Sequence, residues 1–145
     1  MSRHVTVALR IWPFVLGVLI VLGANRLEHW FLPVVKDFVV VDLHNDGATL
    51  TMSGYMRKSW SCDFVGVGTV GKTSNGQIDL DMRFLDSDVH TKSRPTGTQG
   101  WGPWRISIPI TPTVHEIELV AAHRCHPFWM TQTVLANIPI DQPPQ

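Results

Sequence analysis

Four side chains in this sequence form a candidate ligand set for a transition metal, and two of them are its only cysteines. His123, Cys125 and His126 lie within four positions of one another, and Cys62 precedes Cys125 by 125 − 62 = 63 positions. Thiolate and imidazole are ligands that zinc prefers, and a thioether from Met130 would suit copper. In a strand, however, His126 and Cys125 point to opposite faces, and a disulfide would use both sulfurs. We predict no cofactor and keep this four-residue metal site, in a periplasmic metal-binding protein or metalloenzyme, as the alternative.

The same two cysteines are expected to form a disulfide. Both lie in apolar segments flanked by aromatic residues, and an even cysteine count in a small domain is typical of a disulfide framework. In the segment that leads to Cys125, the inward-facing residues are Ile117, Leu119 and Ala121, so the alternation of a strand also turns Cys125 toward the core. The sequence therefore predicts a bridge from Cys62 to Cys125 that joins two sheets in an oxidising compartment.

The polar segment from Leu85 to Trp104 is the strongest candidate for a binding site. It is long and rich in glycine, yet it contains two large rings, Trp101 and Trp104, and the guanidinium of Arg94. Stacking of Arg94 on either ring would form a rigid platform for a sugar, a peptide or a partner protein. The alternative is that Trp104 begins a strand and closes the end of the core while Trp101 covers it. We predict a binding site formed by Arg94, Trp101 and Trp104.

Catalytic signatures in the sequence are weak. The segment His44-Asn-Asp46 has residue types found in hydrolytic sites, but directly before Gly47 it is more typical of a hairpin turn with side-chain-to-backbone hydrogen bonds. A nucleophile such as Ser53, Ser59 or Ser61 would need a base and an orienting acid, which the sequence does not place. Enzymatic activity is left uncertain, and binding is favoured over chemistry.

Alternation of apolar residues predicts the strands that would position these groups. In the segment 77–84 every second residue is apolar: Ile78, Leu80, Met82 and Phe84. Similar alternation, with turn signals at Asn45-Asp-Gly47 and Ser74-Asn-Gly76, predicts about seven strands within residues 37–138. No segment of helical period separates them. The expected fold is therefore all-β, an antiparallel β-sandwich of immunoglobulin-like type.

The first 36 residues are predicted to form a cytoplasmic tip, a transmembrane helix and a juxtamembrane segment. The stretch 11–24 has no charged side chain and follows a basic N-terminus with Arg3 and Arg10. Extended toward the N-terminus, it reaches the roughly 20 residues that a helix needs to span a bilayer. A cleaved signal peptide is the alternative. The positive-inside tendency predicts an inner-membrane protein with a cytoplasmic N-terminus and a periplasmic or extracellular domain.

Charge indicates which partners to expect. The chain has 12 basic and 12 acidic residues, and after Asp37 the balance is 8 − 10 = −2. Nucleic-acid binding requires a basic face, and none is visible in the sequence. We therefore predict no nucleic acid, a single membrane span, and a protein or envelope component as the partner. Residues 139–145 contain three prolines and are predicted to be a flexible tail.

Several segments resemble small uncharacterised proteins encoded by tailed bacteriophages. They are Ser53-Gly-Tyr-Met-Arg-Lys58, Cys62-Asp-Phe64, Arg94-Pro-Thr-Gly97, Gly102-Pro-Trp104 and His123-Arg-Cys-His-Pro-Phe-Trp129. The likeness covers most of the chain after the predicted anchor, and it brings no assigned activity. It implies a phage product in the host inner membrane that alters the envelope, excludes other phages or acts near lysis.

Overall fold

The chain forms two compact units, Met1–Pro33 and Val34–Gln145. The computed structural model describes residues 12–23, 33–85, 94–127 and 130–140. In the first unit, residues 12–23 form a helix, α1, whose apolar side chains are mostly exposed. The second unit is built entirely from β-strands in its described part.

The predicted membrane anchor is wrong in this structure. Within the described ranges, no helix combines the length and the apolar content needed to cross a bilayer. The predicted inner-membrane localisation, with its single span and its periplasmic or extracellular domain, is corrected accordingly. Residues 1–11 and 24–32 of the predicted anchor lie outside the described residues.

The second unit contains eight strands in two four-stranded sheets. In chain order they are β1 (Val35–Asn45), β2 (Thr49–Lys58), β3 (Asp63–Thr73), β4 (Gly76–Asp79), β5 (Met82–Phe84), β6 (Gly97–Ser107), β7 (Val114–Arg124) and β8 (Thr131–Pro139). The first sheet has the order β1-β2-β6-β5, the second has the order β4-β3-β7-β8, and all neighbouring strands are antiparallel. The prediction of an all-β, antiparallel sandwich is confirmed. Strand β8 also extends into the predicted tail as far as Pro139, and residues 141–145 lie outside the described residues.

The core lies between the inner faces of the two sheets. In β7 the inward residues are Ile117, Leu119 and Ala121, as the alternation predicts, and the charged residues of the same strand lie on the other face. Six rings form a row that connects the sheets, with neighbouring centroids 4.4–6.5 Å apart: Phe38, Trp101, Trp104, Phe84, Phe64 and His123. These separations are those of favourable stacked and edge-to-face aromatic pairs.

The predicted strand over 77–84 is two strands in different sheets. β4 pairs with β3, and β5 pairs with β6. The chain crosses between the sheets at Leu80 and Asp81, where Leu80 N donates to Thr69 O at 2.9 Å and Ser107 N donates to Asp81 O at 2.9 Å. The apolar side chains stay on the core side, because the crossing preserves their alternation. The alternation therefore could not reveal the change of pairing partner, and the structure has eight strands rather than about seven.

The turn predicted at residues 45–47 is confirmed in its conformation and its hydrogen bonds. Gly47 has a φ of 90°, and its backbone N donates to Asn45 Oδ1 at 2.9 Å. The carboxylate of Asp46 accepts hydrogen bonds from the backbone N and the hydroxyl of Thr49. These bonds, the backbone bond first, hold the pKa of Asp46 below its ordinary value. Asp46 is thus a turn residue.

Strands β1, β2 and β6 approach closely at the centre of the first sheet because two positions lack a side chain. A Cβ on Gly54 would collide with the carbonyl oxygen of Val39 and come within 3.0 Å of the Trp101 ring. Gly102 has a φ of 86° and lies against the backbone of β2. The stretch 97–103, which the sequence assigned to a long loop, is therefore the first part of β6.

Replacement of Gly54 by alanine is expected to destabilise the fold by at least about 3 kcal/mol, because backbone must move to admit the methyl group. The matched control is Gly68→Ala in β3, where a Cβ would meet open space. That change should leave stability within about 1 kcal/mol or raise it. Urea unfolding of both variants measures the difference, and equal losses would contradict the close approach.

Candidate functional site at the disulfide end

Described residues of three connections between strands lie at one end of the sandwich, which we call the disulfide end. Here the end of β2 pairs with the start of β6 (Lys58 with Gly97), and the start of β3 pairs with the end of β7 (Asp63 with Arg124). The connections are residues 59–62, 85–96 and 125–130. The opposite end, which we call the turn end, contains the turns at 45–48 and 74–75.

Cys62 and Cys125 form the predicted disulfide, with Cα atoms 4.6 Å apart. Its expected position between the two sheets is wrong. Cys62 directly precedes Asp63 and Cys125 directly follows Arg124, and these two residues are paired neighbours in the second sheet. The bridge therefore closes the end of the β3–β7 ladder within one sheet, and it joins the 59–62 connection to the 125–130 connection.

Lys58 links the 85–96 connection to the disulfide end. Its side chain is only 3% exposed, and its Nζ donates to the carbonyl oxygens of Cys62 at 2.8 Å and Arg94 at 2.9 Å. Burial lowers the pKa of Lys58, and the nearby Asp63 carboxylate opposes that shift. Sequence reasoning missed this residue, although Lys58 has the inward parity of Met52 and Met56 in β2.

His123 lies beneath Lys58 on the inward face of β7. It is 3% exposed, its ring is 5.7 Å from that of Phe64, and its Nδ1 has no hydrogen-bond partner among the described residues. Burial, with a smaller contribution from the charge of Lys58, lowers the pKa of His123 to about 4. His123 is therefore a neutral core residue at pH 7.

The four candidate metal ligands are near one another in the chain but do not form a coordination site. Both sulfurs belong to the disulfide, so neither Cys62 nor Cys125 offers a thiolate. His123 points into the core, whereas His126 is exposed. Within the described ranges, no group of three potential ligands is placed to bind a metal ion.

The three residues predicted to form a binding platform occupy different environments. Trp101 and Trp104 are buried in the core, with ring centroids 4.5 Å apart, so their rings are not available as a surface platform. Phe38 stacks on Trp101 at 4.4 Å. Arg94 lies at the disulfide end, where its Nη1 donates to Gly100 O at 2.8 Å. A binding role for Arg94 stays a prediction.

On the described residues of the two connections that the disulfide joins, two large apolar side chains that sequence reasoning did not select are exposed. Trp60, in the 59–62 connection, is 47% exposed, and so is Met130, at the end of the 125–130 connection. Trp60 lies two positions before Cys62, and Met130 lies five positions after Cys125. The sequence signal was the presence of large apolar residues in connections between strands, next to cysteines.

No protein-family model, curated protein or solved structure matches this chain. Its function is therefore inferred from the geometry of its own residues.

Removal of the disulfide by the double substitution Cys62→Ala and Cys125→Ala is expected to lower the free energy of unfolding by about 4 kcal/mol. The loop that the bridge closes spans 63 positions, which restricts the unfolded chain by about that amount. Urea unfolding measures the loss. Reduction of the unsubstituted protein should reproduce it and should not affect the double variant. A loss below about 1 kcal/mol would contradict this role.

Stability is expected to fall as the pH decreases from 6.5 to 4. In that range the unfolded chain protonates His123, whose ordinary pKa is 6.5, while the folded protein, with a pKa of about 4, does not. The unfolded state therefore binds more protons, and the free energy of unfolding drops by about 3 kcal/mol. Urea unfolding at several pH values measures this loss. The variant His123→Gln should lose less over the same range, and an equal loss would refute the assignment.

Proposed function

We propose that this protein is a binding module that contacts a partner protein through its disulfide end. The observation that carries the proposal is the exposure of Trp60 and Met130 on two connections that a disulfide joins. Tryptophan is enriched among residues that dominate binding energy, and the flexible thioether of methionine adapts to varied surfaces. Single exposed apolar residues are common on proteins, and what distinguishes Trp60 and Met130 is that the disulfide joins the connections to which they belong.

Contacts at one described residue of each connection, Cys62, Arg94 and Cys125, support this proposal. Binding through mobile loops costs roughly 0.5–1.5 kcal/mol for each side chain that must be ordered. Here the disulfide joins the 59–62 and 125–130 connections. The buried Lys58 ammonium binds the carbonyl oxygens of Cys62 in the 59–62 connection and of Arg94 in the 85–96 connection. Much of that ordering is thus complete before a partner arrives, which favours recognition by a preformed surface.

The strand order supports the finer interpretation of the fold as immunoglobulin-like. Immunoglobulin sandwiches place strands A, B, E and D in one sheet and strands C, F and G in the other, where variable domains add a strand beside C. The orders β1-β2-β6-β5 and β4-β3-β7-β8 correspond to that plan. The bridge differs, because it joins β3 to β7 rather than β2 to β7. In variable domains, connections equivalent to β2–β3 and β7–β8 form much of the antigen-binding end.

Arg94 is included in the proposed surface because its backbone is fixed there by Lys58. Trp101 and Trp104 are not included, because both are buried. A metal-dependent function is not proposed, since the candidate sulfurs are bonded to each other. The phage origin implied by the resemblance stays a prediction.

Site-specific crosslinking tests the proposal. A photoreactive amino acid in place of Trp60 should give a discrete crosslinked protein in the cells that naturally make this chain. The same group in place of Ile110, which is 89% exposed near the turn end, should not. Adding Met130→Ala should weaken the crosslink from position 60 severalfold without loss of stability in urea, whereas Leu43→Ala should not. Equal crosslinking from positions 60 and 110 would refute the proposed surface.

A further inference from the structure

Charge is unevenly distributed along the strands of the sandwich. Among the described residues, the half that contains the disulfide end has five basic side chains: Lys36, Arg57, Lys58, Arg94 and Arg124. Among the described residues of this half, Asp37 and Asp63 oppose them, so the described balance is 5 − 2 = +3, with Lys58 buried and residues 86–93 outside the described part of the chain.

The half that contains the turn end has the opposite charge. Its described acidic residues are Asp42, Asp46, Asp79, Asp81, Glu116 and Glu118. They exceed its three basic residues, Lys72, Arg83 and Arg105, so the net charge is 3 − 6 = −3. A strand of 11 residues is about 36 Å long, which places the centres of the two halves about 18 Å apart. This exceeds the screening length of about 8 Å at physiological salt, so a partner at the disulfide end experiences mainly the basic half.

One pair of strand neighbours sharpens this asymmetry. Lys36 lies directly opposite Arg57 in the β1–β2 ladder, and both are exposed. Like charges in that arrangement repel. The other half has a like-charged opposite pair too, Arg83 with Arg105, but there Arg83 Nε donates to the Asp81 carboxylate at 3.3 Å. An anionic group placed between Lys36 and Arg57 would replace repulsion with attraction.

We infer that the partner of the disulfide end is an acidic protein segment with at least one apolar side chain. Its carboxylates contact Lys36 and Arg57, and its apolar group contacts Trp60 and Met130. This rests on the proposed function and adds the chemistry of the partner. A nucleic acid is not favoured, because the described sandwich balances eight basic against eight acidic residues and offers no continuous basic track along a face.

The test uses a short peptide of glutamate and leucine residues as the probe, followed by amide and indole NMR shifts of the full chain. Shifts should be confined to the disulfide end and include the indole of Trp60. Binding should weaken by about tenfold between low and physiological salt, and the glutamine analogue of the peptide should bind at least about tenfold more weakly. Absence of peptide binding, or tighter binding of a single-stranded DNA of equal length, would overturn the inference.

Charge reversal provides a matched comparison. The double substitution Lys36→Glu and Arg57→Glu should weaken peptide binding by about tenfold or more. The control, Arg83→Glu with Arg105→Glu, makes the same change of charge in another like-charged opposite pair of the same sheet, in the other half. It should leave binding unchanged, and an equal effect of the two reversals would overturn the inference.

The crosslink from position 60 separates the two proposals. If the crosslink forms and is weakened by Lys36→Glu with Arg57→Glu but not by Arg83→Glu with Arg105→Glu, the binding surface and the acidic partner are both supported. If it forms but resists salt and both reversals, the acidic partner is wrong while the binding surface stands. If it does not form, the proposed function itself fails.

Discussion

A buried ammonium group organises the end of this sandwich. Removing a charged amine from water is unfavourable unless its donors are matched, and Lys58 meets that requirement with the carbonyl oxygens of Cys62 and Arg94. Those oxygens belong to separate connections, which are thereby held to the end of β2. Because the buried ammonium needs both oxygens as acceptors, it fixes where the backbone at Cys62 and at Arg94 lies.

The disulfide and the row of aromatic rings connect this end to further parts of the molecule. Through Cys125 the bridge brings a third connection to the same place, within the sheet rather than across it. Through His123, which lies against Phe64, the polar end is continuous with the rings that fill the core as far as Phe38. The surface proposed for binding is therefore continuous with the aromatic part of the core.

The features that depend on local alternation and turn chemistry could be predicted from the sequence. The strand class, the inward residues of β7, the turn around Gly47 and the pairing of the two cysteines follow from them. What the sequence did not disclose depends on partners distant in the chain. The bridge lies within one sheet because β3 and β7 are neighbours, and Gly54 lacks a side chain because the carbonyl oxygen of Val39 occupies that space. The burial of Trp101 and Trp104 agrees with the alternative that the sequence offered rather than with the predicted platform. The predicted membrane span is not found among the described residues.

The crossing at Leu80 and Asp81 makes one short stretch of chain belong to both layers. Since successive side chains alternate in direction, inserting a single amino acid there would turn Met82 and Phe84 away from the interior while leaving Ile78 in place. Two inserted amino acids would restore their direction. Insertions or deletions at the crossing should therefore preserve the fold only when they add or remove an even number of residues. The hairpin turns are not subject to this restriction.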